Sequence, residues 1–309
     1  MKAVQIRAYG GRAEVADIDD PAVGPREVLL RVSGVALNPL DLKIASGAVR
    51  GFFPVQFPYT LGTDVSGTIA EVGAEVAGWS VGDRVVARLD PTRGCAAAEF
   101  ATVPADQLAK APASVSLPLS AGIVTAAGTA WQALTEVASL GAGQTVLVHG
   151  GAGGVGGFAV QFARDIGARV IATASGDGVD IALKLGAHEV VDYKTADFTE
   201  SISGVDVVLD TVGGENEARS LEALRPGGLL LALPVPPDVE RAVARGLRAE
   251  FVFHTSAAGR LAAVVQKIDD GAHILLDRIL PLTATPDAMN HLRDGTAAGK
   301  VILVADKIV

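Results

Sequence analysis

The stretch Thr145-Val146-Leu147-Val148-His149-Gly150-Gly151-Ala152-Gly153-Gly154-Val155-Gly156-Gly157 decides the fold. A short β-forming run enters a cluster of glycines, and apolar residues then resume at helical spacing as far as Ile166. Strand, glycine-rich turn and helix in that order are the setting in which Gly151, Gly153 and Gly156 satisfy G-x-G-x-x-G. A pyrophosphate needs close approach to the backbone, so side chains must be absent there. The N–H groups and the dipole of the following helix then face the anion. The motif therefore predicts a dinucleotide site with contacts from Gly151, Gly153, Gly154, Val155 and Gly156.

Downstream, apolar runs at 169–173, 189–191, 205–209, 228–233 and 250–253 alternate with helical segments. Together with 145–149 they make six β runs, each apolar throughout, which describes a doubly wound parallel sheet buried on both faces. Upstream the punctuation differs. Short runs at 28–32, 64–72, 83–87 and 98–103 are separated by Gly and Pro, the pattern of a compact β-barrel. Residues 119–137 read as a helix. The tail begins with an amphipathic helix over 258–271 and ends in an apolar strand over 300–304 with no helix after it, so it is expected to rejoin the first domain. The expected fold class is α/β, divided as 1–116 (β-barrel domain), 117–257 (Rossmann dinucleotide-binding domain) and 258–309 (return to the first domain).

Bulk properties narrow the function. The chain has 309 residues, 49% hydrophobic and 20% charged, which fits two globular domains and excludes disorder. A net charge of −9 gives no electrostatic footprint for nucleic acid or an anionic membrane. The single cysteine, Cys95, permits no internal disulfide and points to the cytoplasm. The uncharged stretches 111–135 and 144–163 are broken by prolines, hydroxyls and glycines, and neither reads as membrane-spanning.

The whole chain resembles the zinc-independent, zeta-crystallin-like quinone oxidoreductase branch of the medium-chain dehydrogenase/reductases. The residues that carry this are Asn38-Pro39-Leu40-Asp41-Leu42-Lys43, Leu61-Gly62-Thr63-Asp64-Val65-Ser66-Gly67, Gly82-Asp83-Arg84-Val85, Gly128-Thr129-Ala130-Trp131, the glycine-rich loop, Asp210-Thr211-Val212-Gly213-Gly214 and Gly299-Lys300-Val301. The resemblance implies a GroES-like catalytic domain with a Rossmann domain inserted into it. It also implies NADPH-dependent reduction of quinones or α,β-unsaturated carbonyls, in a homodimer. Gly62-Thr63-Asp64 stands where zinc-containing relatives carry Gly-His-Glu, and the five histidines (His149, His188, His254, His273, His291) show no paired ligand spacing, so no metal is expected.

Site residues follow from the same resemblance. Asn38 matches the position near the nicotinamide, and its amide would orient the ring or the substrate oxygen; the alternative is a turn-forming Asn before Pro39. Lys43 would stabilise an enolate or contact a phosphate, or else be a solvated lysine. Asp41 is expected to buttress the loop. Thr125 and Thr129 match the nicotinamide-ribose side, and Lys300 is grouped with the cofactor contacts. Ser175 and Tyr193 match positions that approach the adenosine 2′-phosphate. The basic residue many relatives carry near Gly178 is missing, Asp177 lies close by, and no carboxylate ends the second strand. NADP(H) is favoured and NAD(H) remains possible. Phe251 and Phe253 would line the nicotinamide or form an edge strand at a dimer interface, or simply pack in the core. Cys95 reads as incidental.

Two classes of function remain open: a reductase of small-molecule quinones or enones, and a low-turnover dinucleotide-binding sensor or structural protein. An enoyl-reductase module of a larger synthase fits less well a chain that begins and ends like a complete protein.

Overall fold

The computed structural model describes residues 1–295 and 297–305. Its strands are β1 (Lys2–Ile6), β2 (Glu14–Asp17), β3 (Glu27–Leu37), β4 (Tyr59–Thr60), β5 (Asp64–Val72), β6 (Arg84–Arg88), β7 (Phe100–Pro104), β8 (Ala109–Lys110), β9 (Thr145–His149), β10 (Arg169–Ala174), β11 (Glu189–Asp192), β12 (Val205–Asp210), β13 (Leu224–Ala232), β14 (Arg248–Phe251), β15 (Leu276–Pro281) and β16 (Lys300–Val304). The chain divides into two compact units, Met1–Thr125 with Ser256–Val309, and Ala126–Thr255.

The first unit is the GroES-like domain. Its main sheet runs β15-β16-β3-β5-β6-β8 with β7 also on β3, and a smaller sheet runs β2-β1-β4. β3 is the organising strand, because it pairs antiparallel with β5, β7 and β16. Its first half alternates: Val28, Leu30 and Val32 are buried while Arg31 is exposed. From Val35 to Leu37 the alternation stops and every residue is buried. The cause is a second covered face, where Ala36 packs with Ala121 and Ile302 behind the main core. Gly34 allows that cover, since a Cβ there would lie 2.2 Å from the carbonyl oxygen of Pro118. The return of the tail is the antiparallel pairing of Ile302 with Ala36 and Leu303 with Val35.

The second unit is a six-stranded parallel sheet in the order β11-β10-β9-β12-β13-β14. The chain builds outward from β9 to β11, then returns to β12 and builds the other way. The switch point, where ligands bind in such sheets, therefore lies between β9 and β12. Leu147, Ile171, Val208 and Leu230 join Phe198 and Leu221 in its core. Removing a side chain of this kind from water contributes about 1.5–3 kcal/mol.

Residues 119–137 are not one regular helix. The chain forms a short helix, Leu117–Ser120, a tight turn at Ala121–Ile123, a regular helix at Val124–Trp131 and a wide π-helical turn at Gln132–Val137. In the π-helical turn Thr135 Oγ1 donates to the carbonyl of Trp131 at 2.7 Å, competing with the backbone ladder. No helix among the described residues is long and apolar enough to cross a membrane.

Candidate active site and cofactor cradle

The glycine-rich loop forms the turn its spacing predicts. β9 ends at His149, Gly150 takes a left-handed φ of 69°, and Gly153 is the N-cap of the helix Gly154–Ile166. The Gly153 N–H closes the turn onto the Gly150 carbonyl at 2.8 Å, and the Gly151 N–H holds it to Thr173 of β10 at 2.9 Å. Each glycine of the motif has its own reason. A Cβ on Gly156 would lie 2.1 Å from the Gly150 oxygen, and one on Gly151 would lie 2.6 Å from the Ala172 Cβ. A Cβ on Gly153 would approach the Gly150 oxygen only to 3.1 Å. Gly151 and Gly156 thus pack the turn against sheet and helix. Gly153, Gly154 and Val155 are partly exposed at the helix start, with no side-chain cap and no acid in the first turn. The N–H groups of Gly154 and Val155, not taken up by the turn as that of Gly153 is, fit the pyrophosphate of a dinucleotide.

Around this cradle, His149 bonds through Nδ1 to Thr173 Oγ1 at 3.1 Å and through Nε2 to Ser220 Oγ at 2.9 Å. Burial pushes its pKa down to about 4, against the pull of Asp210, so it is a neutral structural residue. Asp210 Oδ1 accepts the N–H groups of Val212 and Gly213, both at 2.8 Å, which shapes the turn after β12. Thr129 Oγ1 lies 3.2 Å from His254 Nδ1, and the Phe251 and Phe253 ring centroids are 6.2 Å apart with both rings exposed. Ser175 Oγ donates to the Tyr193 hydroxyl at 2.9 Å, bringing together the two residues expected at the adenosine end.

In the first unit the sequence around Asn38 builds a buried polar chain. Asn38 caps the helix Pro39–Ser46, with Pro39 at its first position and Asp41 Oδ2 accepting the Asn38 N–H at 2.7 Å. Asp41 is therefore the buttress that the sequence suggests. The Asn38 side chain bridges a cation and an anion: Lys300 Nζ donates to its Oδ1 at 2.6 Å, and its Nδ2 donates to Asp64 Oδ2 at 2.9 Å. Asp64 also receives the Thr125 hydroxyl at 2.6 Å and the Thr125 N–H at 2.9 Å, the latter at a helix start where a carboxylate is favoured. Lys300 completes its shell on the Leu37 carbonyl at 3.1 Å. Asn38, Asp41, Asp64, Arg88 and Lys300 are all buried. Burial pushes the Asp41 carboxyl up to about 7, with Asp64 adding to it and Lys300 and Arg88 opposing. Burial also lowers Lys300 and Arg88 from their ordinary values, against the carboxylates.

This chain joins Asn38, Thr125 and Lys300, which the sequence singles out separately. Asn38 and Lys300 are here spent on one another and on Asp64, and Lys300 is buried in this network within the first unit. Lys43 sits half-buried on the same helix, two residues beyond Asp41. Sequence reasoning misses Asp64 and Arg88 as site residues. They face one another in the β5–β6 register, and the available signal is a charge at a buried position of an otherwise apolar strand. A zinc ion does not fit this set. Among the described residues the buried Thr63 hydroxyl has no hydrogen-bond partner, and the Lys300 ammonium already supplies the cation. Among the described residues no group of three or more His, Cys, Asp or Glu could hold a metal.

Comparison with known proteins agrees with both units. Residues 24–113 match the alcohol dehydrogenase GroES-like domain and residues 185–303 match the zinc-binding dehydrogenase family. The chain is 33% identical to a chloroplast envelope quinone oxidoreductase homolog of Arabidopsis thaliana over 98% of each chain. It belongs to the quinone oxidoreductase branch of the medium-chain dehydrogenase/reductases. The solved quinone oxidoreductase of Coxiella burnetii superposes with a TM-score of 0.93 at 30% identity, over 99% of each chain. A mycobacterial protein solved in complex with NADPH gives a TM-score of 0.88 at 30% identity, over 98% of this chain and 99% of that one. The chain is thus an oxidoreductase of this superfamily, and the zinc in one family's description is not matched by its donor set.

Proposed function

We propose that this enzyme reduces quinones or α,β-unsaturated carbonyls with a nicotinamide dinucleotide, NADPH being favoured over NADH. The observation that carries the reading is the uncapped helix start after Gly153, which leaves the N–H groups of Gly154 and Val155 for a pyrophosphate at the switch point of the sheet. When bound, the cofactor supplies a hydride equivalent to an electrophilic carbon. The protein's share is placement: the glycine loop holds the phosphates, and Ser175 with Tyr193 meets the adenosine end. Asn38, kept in one amide orientation by Lys300 and Asp64, organises the first unit, and solvent or a weak donor provides the proton. Lys43 remains the candidate for steadying negative charge that develops on the substrate oxygen.

The test is NADPH oxidation against a panel of quinones and enones, with and without chelator. Turnover on at least one class, unchanged by chelator and with no stoichiometric zinc by metal analysis, is expected. Tight cofactor binding with no turnover on any would favour the sensor reading, and one bound zinc per chain would overturn the metal-free mechanism. We further place the protein in the cytoplasm as a homodimer. β14 ends the parallel sheet, and Phe251 on it and Phe253 just beyond are 37% and 46% exposed. A dimer paired along that edge gives twice the chain mass in light scattering, and a monomeric mass rejects it.

A further inference from the structure

The tip of β10 carries no carboxylate, yet the structure brings one there from the neighbouring strand. Ala174 is in register with Asp192 of β11, and the chain beyond Ala174 leans across that strand's end. The Gly176 N–H donates to Asp192 Oδ2 at 3.4 Å, and Asp192 Oδ1 is held by the Lys194 N–H at 2.9 Å. The Tyr193 N–H donates to the Ala174 carbonyl at 3.1 Å, which fixes the two tips together. A glycine is needed at 176, where φ is 54°. The helix Asp177–Leu185 that follows packs against the glycine-rich loop, since a Cβ on Gly178 would lie 3.1 Å from the Cβ of Ala152. The position that reads the adenosine ribose in such folds is the end of the second strand. Here that position holds two opposed chemistries. The hydroxyls of Ser175 and Tyr193 suit a phosphate, while the Asp192 carboxylate suits a free ribose hydroxyl.

We propose that Asp192 is the specificity-determining residue of the cofactor site, accepting the adenosine ribose 2′-hydroxyl of NADH and opposing the 2′-phosphate of NADPH. The inference rests on the dinucleotide-binding reading above. It gives a physical reason for a small preference between the cofactors: hydroxyl donors and the exposed Lys194 next in the chain draw the 2′-phosphate, and the carboxylate repels it. Asp177 is also near in sequence, but it opens the helix Asp177–Leu185, where its charge acts on the helix dipole. It is the control.

The experiment is equilibrium titration of the purified protein with NADPH and with NADH, for wild type, Asp192→Asn and Asp177→Asn, with a thermal melt of each. Asparagine keeps an acceptor for the Lys194 N–H and removes the charge. The Kd ratio is expected to move about tenfold toward NADPH in Asp192→Asn, and by less than about twofold in Asp177→Asn. A ratio unchanged in Asp192→Asn overturns the proposal, as does an equal loss of both affinities with a lowered melting temperature, which marks a structural role. Wild-type protein that binds neither cofactor overturns the dinucleotide reading itself. A wild type that prefers NADH would correct the NADPH preference while the Asp192→Asn shift still supports the inference.

Discussion

Gly153→Val is expected to cost at least about a hundredfold in affinity for NADH and NADPH alike while leaving the fold intact, because two charge-assisted N–H contacts to a phosphate are each worth about 1.5–3 kcal/mol. The backbone at Gly153 is extended, with φ −85° and ψ 176°, so a β-branched residue fits it without left-handed strain. Its Cβ would meet the Gly150 oxygen at 3.1 Å, a contact relieved by a shift of a few tenths of an ångström. The methyl groups beyond that Cβ, however, would stand over the first helical turn where the phosphates approach. Gly156→Val confuses the test, since its Cβ falls 2.1 Å from a backbone oxygen and would force the helix off the turn. Titration by nicotinamide fluorescence beside a thermal melt separates the two variants. Unchanged cofactor affinity in Gly153→Val would mean that the loop is not the binding site.

The reason the parallel sheet can be read from the sequence is local. β9, β10 and β12 are buried on both faces at their centres, so each carries an uninterrupted apolar stretch (146–148, 170–172 and 207–209), and that stretch is the signal. Where a strand departs from that pattern, reading fails. β13 begins at Leu224, several residues before the apolar run at 228–233, because a register shift on β12 lets Leu224 pair with Val205 across Arg225-Pro226-Gly227, which look like a turn. β15 goes unrecognised because it is an edge strand whose residues are mostly exposed, so no alternation survives. The regular helix Thr285–Arg293 is missed for want of a continuous apolar stripe before it.

The buried polar chain was legible only in pieces. Asn38 and Lys300 lie 262 residues apart, and only the pairing of β16 with β3 and of β3 with β5 brings Lys300, Asn38 and Asp64 to one place. A strand register is set by the whole sheet, so the partners of one buried lysine are not written near it. The Asn-Pro pair illustrates a related ambiguity. The same dipeptide opens turns and helices, and the choice falls to Asp41, whose carboxylate takes up the Asn38 N–H and starts a helix. At the proposed adenosine end, the lack of a carboxylate at the tip of β10 is legible in the sequence, while the approach of Asp192 on β11 depends on the Ala174–Asp192 register.

Lys300→Met is expected to destabilise the protein by about 3–5 kcal/mol at pH 8, the usual cost of removing one partner from a buried charged network. The loss should shrink as pH falls, and the direction follows from Asp41. Its carboxyl is raised from 3.8 to about 7 in the folded protein, and Lys300 is one of the charges that restrain the rise. Without the ammonium the folded value climbs further, while the unfolded value stays near 3.8. A group raised on folding contributes stability that is fully present below its unfolded pKa and is lost as pH rises through the folded one. The variant therefore tolerates pH 5, where Asp41 holds a proton and Asp64 still faces Arg88 across the strand pair, and suffers as pH rises to 8, where Asp41 is driven toward ionisation without the ammonium that favours its charged form. Asp41→Asn in the same background removes the titrating group. It should recover part of the lost stability at pH 8 and little at pH 5, since the asparagine oxygen still accepts the Asn38 N–H. Denaturant unfolding of the wild type, both single variants and the double variant at the two pH values reads the coupling directly. A Lys300→Met loss of equal size at pH 5 and pH 8 would show that packing of the lysine stem, rather than charge balance around Asp41, is what the residue contributes.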